Sequence, residues 1–158
     1  MENKVKVVAE EDYGLYKILD PAVTNPKTNK PYNVFTPYKK HLQNNFEVRQ
    51  PDSFNKFEFE TCAGLQEGPH AFHECELDTL YEHNPEISVR GGRRNGVRIL
   101  EGLKQFAKYS ETRDFPSMPS TKLSAYLHFT TVSIREVYHR AAQLFGPGCK
   151  LIDELYWR

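Results

Sequence analysis

Apolar side chains recur every three or four residues in five stretches of the chain, and four of these stretches lie after residue 90. This spacing places the apolar residues on one face of an α-helix. The first stretch, with Tyr38, Leu42 and Phe46, predicts a helix over about 37–46, and the second predicts a helix over about 93–108. The chain is therefore expected to be mainly α.

Polar residues mark where several of these helices should begin. Thr36 followed by Pro37 is typical of an N-cap and a first helical residue. Ser133 and Glu136 stand at the spacing of a capping box, in which each side chain accepts a hydrogen bond from a backbone N–H of the first turn. A last helix is predicted to begin near Leu151, where a new apolar face starts.

The remaining sequence divides the chain into segments. Residues 1–35 are expected to form a linker, because three prolines and three asparagines fall within 20–33. Residues 36–50 hold the first short helix. Residues 51–89 carry nine acidic residues and one lysine, a net charge of −8, and are expected to form an acidic connecting segment. Residues 90–158 contain the other helical patterns and form the helical domain.

Total charge and cysteine content restrict the class of protein. The 158 residues include 21 basic and 21 acidic side chains, so the overall charge gives no reason to expect nucleic-acid or membrane binding. Three cysteines, Cys62, Cys75 and Cys149, cannot form a closed set of disulfides. No apolar stretch is long enough to span a bilayer, and the first residues lack the apolar core of a signal peptide. We expect an intracellular, soluble protein without a signal that selects the nucleus or the cytoplasm.

One short stretch combines side chains that suit an anion. Ser120, Thr121 and Ser124 supply three hydroxyls, and Lys122 supplies an ammonium, where a short helix is predicted over about 121–130. Free N–H groups and the positive dipole at the start of a helix attract a phosphate. Taken alone, such hydroxyls are more often helix caps than ligands.

Two other groups of side chains have ordinary explanations. The spacing of His70, His73 and Cys75 is not that of a zinc site, and a Cys-x2-Cys pair is missing, so no metal site is predicted. Residues 90–113 carry seven basic and two acidic side chains, a net charge of +5. A solvated helix face is the ordinary interpretation of this stretch, and contact with nucleic acid is the alternative.

Four motifs follow one another in the second half of the chain. They are Tyr109 with Arg113 and Asp114; Ser120-Thr121-Lys122-Leu123-Ser124 with Tyr126 and Leu127; Ser133-Ile134-Arg135-Glu136-Val137; and Glu154-Leu155-Tyr156-Trp157-Arg158. In this order they resemble the motifs of the DNA photolyase/cryptochrome family. The resemblance covers roughly residues 13–50 and 88–158.

The resemblance implies a helical domain that binds FAD in a folded conformation. The residues it implies for cofactor binding are Tyr109, Ser120, Thr121, Lys122, Leu123, Ser124 and Arg158. It also implies that Glu154 hydrogen-bonds, and Trp157 stacks, against a pyrimidine dimer flipped out of UV-damaged DNA. In the family, the excited reduced flavin donates the electron that splits the dimer, so no catalytic residue is expected within this chain. The setting of Trp157 favours a cyclobutane dimer over a (6-4) lesion.

The chain departs from the family pattern in ways that shape the expected function. It begins near the end of the family's antenna domain and stops after the first half of the FAD-binding domain. We therefore expect the first helices of a photolyase-type FAD-binding domain preceded by an extended linker, truncated and inactive alone. A second polypeptide that supplies the missing half-domain is one possible partner. A non-catalytic remnant that binds DNA or a partner, and a fragment of a cryptochrome-like flavin photoreceptor, are the alternatives. Lys122 stands where arginine is commoner, which loses bidentate geometry.

Overall fold

The structure is a computed structural model that describes residues 13–17, 20–52, 82 and 84–158. Within these residues the chain is helical, and its only β-pairing is an isolated bridge between Asn25 and Lys30. The α-helices are α1 (Phe35–Asn45), α2 (Arg93–Glu101), α3 (Tyr109–Thr112), α4 (Leu123–His128), α5 (Ile134–Phe145) and α6 (Lys150–Trp157). The prediction of a mainly α protein is confirmed.

The chain divides into two compact units. One unit holds residues 1–51 and 91–158, and the other holds residues 52–90. In the second unit the described residues are 52, 82 and 84–90. Most of the predicted acidic connecting segment therefore lies outside the described residues, together with the His70, His73 and Cys75 group. All the helices named above belong to the first unit.

The core of the first unit is built from the apolar faces that the sequence pattern predicts. Helix α5 packs on α6, α2 packs on α4, and the short α3 packs on α6. Burial of these faces is the main source of stability, at about 25 cal/mol for each Å² of apolar surface removed from water. The largest fully buried side chains are Leu42, Leu103, Val132, Ile134, Val137 and Ile152.

Helix α1 begins at Phe35, earlier than predicted. Val34 is the N-cap, with extended backbone (φ −127°, ψ 132°) and no side-chain capping hydrogen bond. The prediction of Thr36 as the N-cap is therefore wrong, because Thr36 already lies within the first helical turn. Pro37 is tolerated there because the N–H groups of a first turn have no intrahelical partner. Leu42, central to the predicted apolar face, is fully buried.

Helix α2 ends at Glu101, well before the predicted end near residue 108. Gly102 follows as the C-cap, and the chain then turns so that Leu103 enters the core. Arg140 of α5 meets the end of the helix: its Nε donates to the Leu100 carbonyl at 3.2 Å, and its Nη2 donates to the Glu101 carbonyl at 3.5 Å. These are carbonyls that a helix end leaves without an intrahelical partner. A contact between distant parts of the chain thus accompanies the early end of α2.

Helix α2 approaches α4 closely at Gly96, which is buried. A Cβ atom at this position would lie 2.4 Å from Val132 Cγ2 and 3.0 Å from Tyr126 Cδ1. Val132 and Tyr126 are both buried, so neither side chain can turn aside into solvent. The approach of the two helices therefore depends on the missing side chain at Gly96.

Helix α5 begins with the predicted capping box. The Ser133 N–H donates to Glu136 Oε2 at 2.9 Å, and the Arg135 N–H donates to Ser133 Oγ at 3.2 Å. Glu136 also accepts two hydrogen bonds from Arg93, at 2.6 and 3.0 Å. Arg93 donates further to the Thr131 carbonyl at 3.1 Å. One carboxylate therefore caps α5 and also ties α2 to it.

Glu136→Gln should destabilise the protein at neutral pH and have little effect in acid. The hydrogen bonds from Arg93 hold the pKa of Glu136 below its ordinary value of 4.5. Because the folded pKa is lowered, the stabilisation is present above the unfolded pKa and is lost as the pH falls through the folded pKa. We expect a loss of about 1 kcal/mol in the free energy of unfolding at pH 7, measured by urea denaturation.

The difference between Glu136→Gln and the wild type should shrink below the unfolded pKa and approach zero only below the lowered folded pKa, where the carboxyl is protonated in the folded state as well. Glu47→Gln is the matched control, because Glu47 is exposed and has no ion pair among the described residues. It should change the stability little at either pH. A loss of stability in Glu136→Gln that does not vary with pH would contradict the role given to the carboxylate.

Candidate functional site

The residues expected to bind the cofactor line one pocket of the first unit. The pocket has a volume of about 160 Å³. Apolar side chains of α4, α5 and α6 form part of its wall, and Glu154 adds a carboxylate. All seven residues expected to hold the cofactor line the pocket, namely Tyr109, Ser120, Thr121, Lys122, Leu123, Ser124 and Arg158. Residues that the sequence analysis grouped by motif are thus neighbours in space.

The turn from Ser120 to Ser124 leads into α4. Thr121 is buried, and its Oγ1 accepts a hydrogen bond from the Leu123 N–H at 3.4 Å. Lys122 has left-handed backbone (φ 52°), and the helix begins only after it. Helix α4 is therefore shorter than the predicted 121–130, since left-handed geometry cannot continue a right-handed helix. Ser120 and Ser124 are exposed, so both residues remain accessible to a ligand.

Tyr109 is the first residue of α3 and is partly buried. Burial raises the pKa of its hydroxyl above the ordinary value of 10.0, although the nearby Arg113 acts in the opposite direction. The phenol is therefore protonated at neutral pH and can donate a hydrogen bond. Among the described residues, none accepts a hydrogen bond from this hydroxyl.

Glu154 is held at the pocket wall by two cations. Arg113 Nη1 donates to Glu154 Oε1, and Lys150 Nζ lies 3.5 Å from the same oxygen. The hydrogen bond to Glu154 raises the pKa of Arg113, so the arginine stays charged. The other carboxylate oxygen, Oε2, has no partner among the described residues. This oxygen is the one that Glu154 can offer to a ligand.

Arg158, which lines the pocket, carries two unsatisfied donors. Its Nε and Nη2 atoms are buried and have no hydrogen-bond partner within the described part of the chain. The guanidinium carbon lies 4.4 Å from the centre of the Tyr13 ring, a contact that satisfies neither N–H. A buried donor without a partner costs about 1–3 kcal/mol, and more when it is charged. The arrangement therefore favours an anion in the pocket.

Trp157 lies outside the pocket, although it belongs to the same helix as Glu154. Its indole stacks on the ring of Phe35 in α1, with centroids 4.0 Å apart and 5° between the planes. The side chain nevertheless remains 61% exposed. The structure therefore brings Glu154 together with the expected cofactor residues and leaves Trp157 at the contact between α6 and α1.

Two cations contribute to the site without having been assigned a role from the sequence. Lys150 and Glu154 are four residues apart in one helix, and this spacing predicts an ion pair, so the first cation could have been found. Arg113 stood in a motif, but its partner Glu154 is 41 residues away. No local pattern predicts a pair over that separation.

The described residues contain neither a metal-binding cluster nor a membrane-spanning helix. No group of three His, Cys, Asp or Glu side chains is placed to hold a metal ion there. In the same part of the chain, none of the helices combines the length and the apolar character that crossing a membrane requires.

Comparisons of the chain with protein-family models, with curated proteins and with solved structures gave no match. A functional assignment therefore depends on the residues and the geometry of the pocket.

Proposed function

We propose that the pocket binds the phosphate-bearing part of FAD. On this proposal, the chain is a photolyase-type polypeptide that takes part in the light-driven repair of cyclobutane pyrimidine dimers in DNA. The observation that carries the proposal is the pair of buried, unpartnered donors of Arg158 beside a pocket lined by hydroxyls. Buried polar groups in proteins are almost always hydrogen-bonded. An anionic ligand in the pocket would supply the acceptors that these donors lack.

The side chains of the pocket fit a phosphate group. Lys122 and Arg158 bring positive charge, while Tyr109, Ser120 and Ser124 bring hydroxyl donors. The negative charge of the pocket's carboxylate is offset by its two cationic partners. Charge-assisted hydrogen bonds from such donors to phosphate oxygens are about twice as strong as neutral ones.

The size of the pocket favours a partial cofactor site. Its volume of about 160 Å³ is below the range of about 300–1,000 Å³ that ligand pockets usually have. It can enclose the pyrophosphate region of FAD and leaves the rest of the cofactor to be covered by other surfaces. The second candidate function is that of a non-catalytic remnant that binds DNA or a partner.

When bound, FAD would supply the light-driven electron that splits the dimer. The chain's own residues would bind and orient the cofactor and the dimer. Oε2 of Glu154 would accept a hydrogen bond from the flipped-out dimer, and the exposed part of Trp157 would offer a surface on which the unstacked bases lie. A cryptochrome-like photoreceptor would use the same pocket without repairing DNA, so a repair assay separates these two possibilities.

The first test is the visible absorption spectrum of the purified chain after incubation with FAD and removal of free cofactor. The wild type should retain a flavin band. Tyr109→Phe and Ser124→Ala should each weaken binding by about 10- to 100-fold, the effect of one hydrogen bond to a charged group. Ser110→Ala is the matched control because Ser110 is exposed and is not among the residues that line the pocket.

A colourless wild-type protein would contradict the proposed FAD site. If the flavin band is retained, the protein should be illuminated with an oligonucleotide that contains a cyclobutane dimer. Restoration of the intact bases would support repair by the chain itself. Retained flavin without repair would favour the non-catalytic or photoreceptor alternatives.

A further inference from the structure

Glu154 and Arg158 have opposite charges and lie four residues apart along the end of α6. With the acidic residue first, this spacing favours an ion pair along the helix. The described residues do not contain that pair. Glu154 contacts Arg113 and Lys150 instead, and Arg158 lies over the Tyr13 ring. The two charged side chains therefore line one pocket without neutralising each other.

Arg113 makes the shortest contact with Glu154. It follows α3 in the chain and donates from Nη1 to Glu154 Oε1, while its Nε donates to Asp114 Oδ1 at 3.1 Å. The side chains of Arg113 and Glu154 are only 25% and 28% exposed, so solvent screens their attraction weakly. Lys150 is more exposed, at 41%, and lies 3.5 Å from the carboxylate. It is therefore the weaker of the two contacts.

We infer that Arg113 is a positioning residue, which holds Glu154 away from Arg158 and so keeps Arg158 available to an anionic ligand. The inference rests on the proposed FAD site, because the anion that Arg158 would then bind is the pyrophosphate of FAD. Without Arg113, the carboxylate of Glu154 would turn towards the buried donors of Arg158. An internal ion pair would then form in the pocket, and the cofactor would have to displace it.

The first arm of the test uses the protein without FAD. In a ¹⁵N-labelled sample, the Nε–H resonance of Arg158 is identified by its absence from the spectrum of R158K. In R113Q this proton should shift downfield and exchange more slowly with solvent, because Glu154 now accepts hydrogen bonds from the guanidinium. The double variant R113Q/E154Q should return towards the wild-type spectrum. An unchanged Arg158 resonance in R113Q would overturn the inference, whether or not FAD binds.

The second arm measures the dissociation constant of FAD by calorimetry for the wild type, R113Q, E154Q and the double variant. R113Q should bind FAD about 10-fold more weakly, and E154Q should restore most of that loss. E154Q is also measured in the wild-type background, so that its own effect on the affinity enters the cycle. If the only effect of R113Q were the loss of a positive charge, the two substitutions would be additive. Additive effects would therefore overturn the inference.

The two arms separate this inference from the proposed function. Suppose that the wild type fails to bind FAD while the Arg158 resonance moves in R113Q. The assignment of FAD as the ligand is then wrong, and the inference that Arg113 positions Glu154 is supported. R113K is a second variant for the case in which R113Q does not fold, since lysine keeps the charge and loses the planar fork. It should move the resonance in the same direction by a smaller amount, and an unmoved resonance counts against the inference.

Discussion

Gly96→Ala should lower the free energy of unfolding by about 2 kcal/mol, although alanine is the better helix former by about 1 kcal/mol. The new Cβ atom would lie 2.4 Å from Val132 Cγ2 and 3.0 Å from Tyr126 Cδ1. Both neighbours are buried, and the β-branched valine has few alternative rotamers. Overpacking of this kind costs about 1–3 kcal/mol. Here the cost should exceed the helical gain, because α2 must move away from α4.

Urea denaturation of the wild type and Gly96→Ala measures this effect. Gly148→Ala is the matched control, since a Cβ atom at Gly148 would meet nothing within 4 Å. In a double-mutant cycle, Val132→Ala should relieve part of the cost at Gly96 by removing the atom in conflict. A Gly96→Ala protein as stable as the wild type would show that α2 and α4 can separate without loss.

Arg158→Gln should weaken FAD binding by about 10- to 100-fold, the loss expected when hydrogen bonds from a charged donor to an anion disappear. Glutamine keeps a donor but lacks the positive charge and the forked geometry of the guanidinium. The stability of the protein without cofactor should not fall in parallel. The substitution removes two buried donors that have no partner in the described part of the chain, and such donors are a cost in the free protein.

Calorimetric titration with FAD, together with urea denaturation of the cofactor-free protein, measures the two effects of Arg158→Gln. Arg94→Gln is the matched control, because Arg94 is exposed on α2 and does not belong to the lining of the pocket. It should change the affinity by less than about 2-fold, as expected for an exposed charge. Equal losses of affinity in both variants would point to a general charge effect instead of a specific contact.

The helical architecture could be predicted from the sequence because its signals are local. In α6, Leu151, Ile152 and Leu155 are apolar at helical spacing, and all three are buried in the structure. Ser133 and Glu136 form their capping box within a single turn. Patterns of this kind depend on residues a few positions apart, which the printed sequence shows directly.

The errors in the predicted helix ends have physical causes outside those local patterns. The end of α2 is met by Arg140, which reaches the Leu100 carbonyl from 40 residues away. Helix α1 starts before Thr36 because an extended Val34 can cap a helix without a side-chain acceptor. Left-handed backbone at Lys122 shortens α4, and lysine is not a residue that signals this conformation.

The motifs of the sequence were enough to select the expected cofactor residues, which line the pocket. They did not show which charged residues of the pocket pair with each other. The residues from Ser120 to Ser124 follow one another in the chain, so they must lie close together in the structure. The pairing of Arg113 with Glu154, and the resulting isolation of the Arg158 donors, require coordinates. The spacing of Glu154 and Arg158 alone would have predicted that these two residues neutralise each other.

The stacking of Trp157 on Phe35 has a spectroscopic consequence. Trp157 is the only tryptophan of the chain, so all of its indole fluorescence comes from the contact between α1 and α6. The Lys39–Asp153 ion pair joins the same two helices. Emission wavelength and quenching by a soluble quencher therefore report the detachment of α1 locally, while circular dichroism follows the loss of all helices. A difference between the two unfolding curves would measure how independently the first helix leaves the rest of the unit.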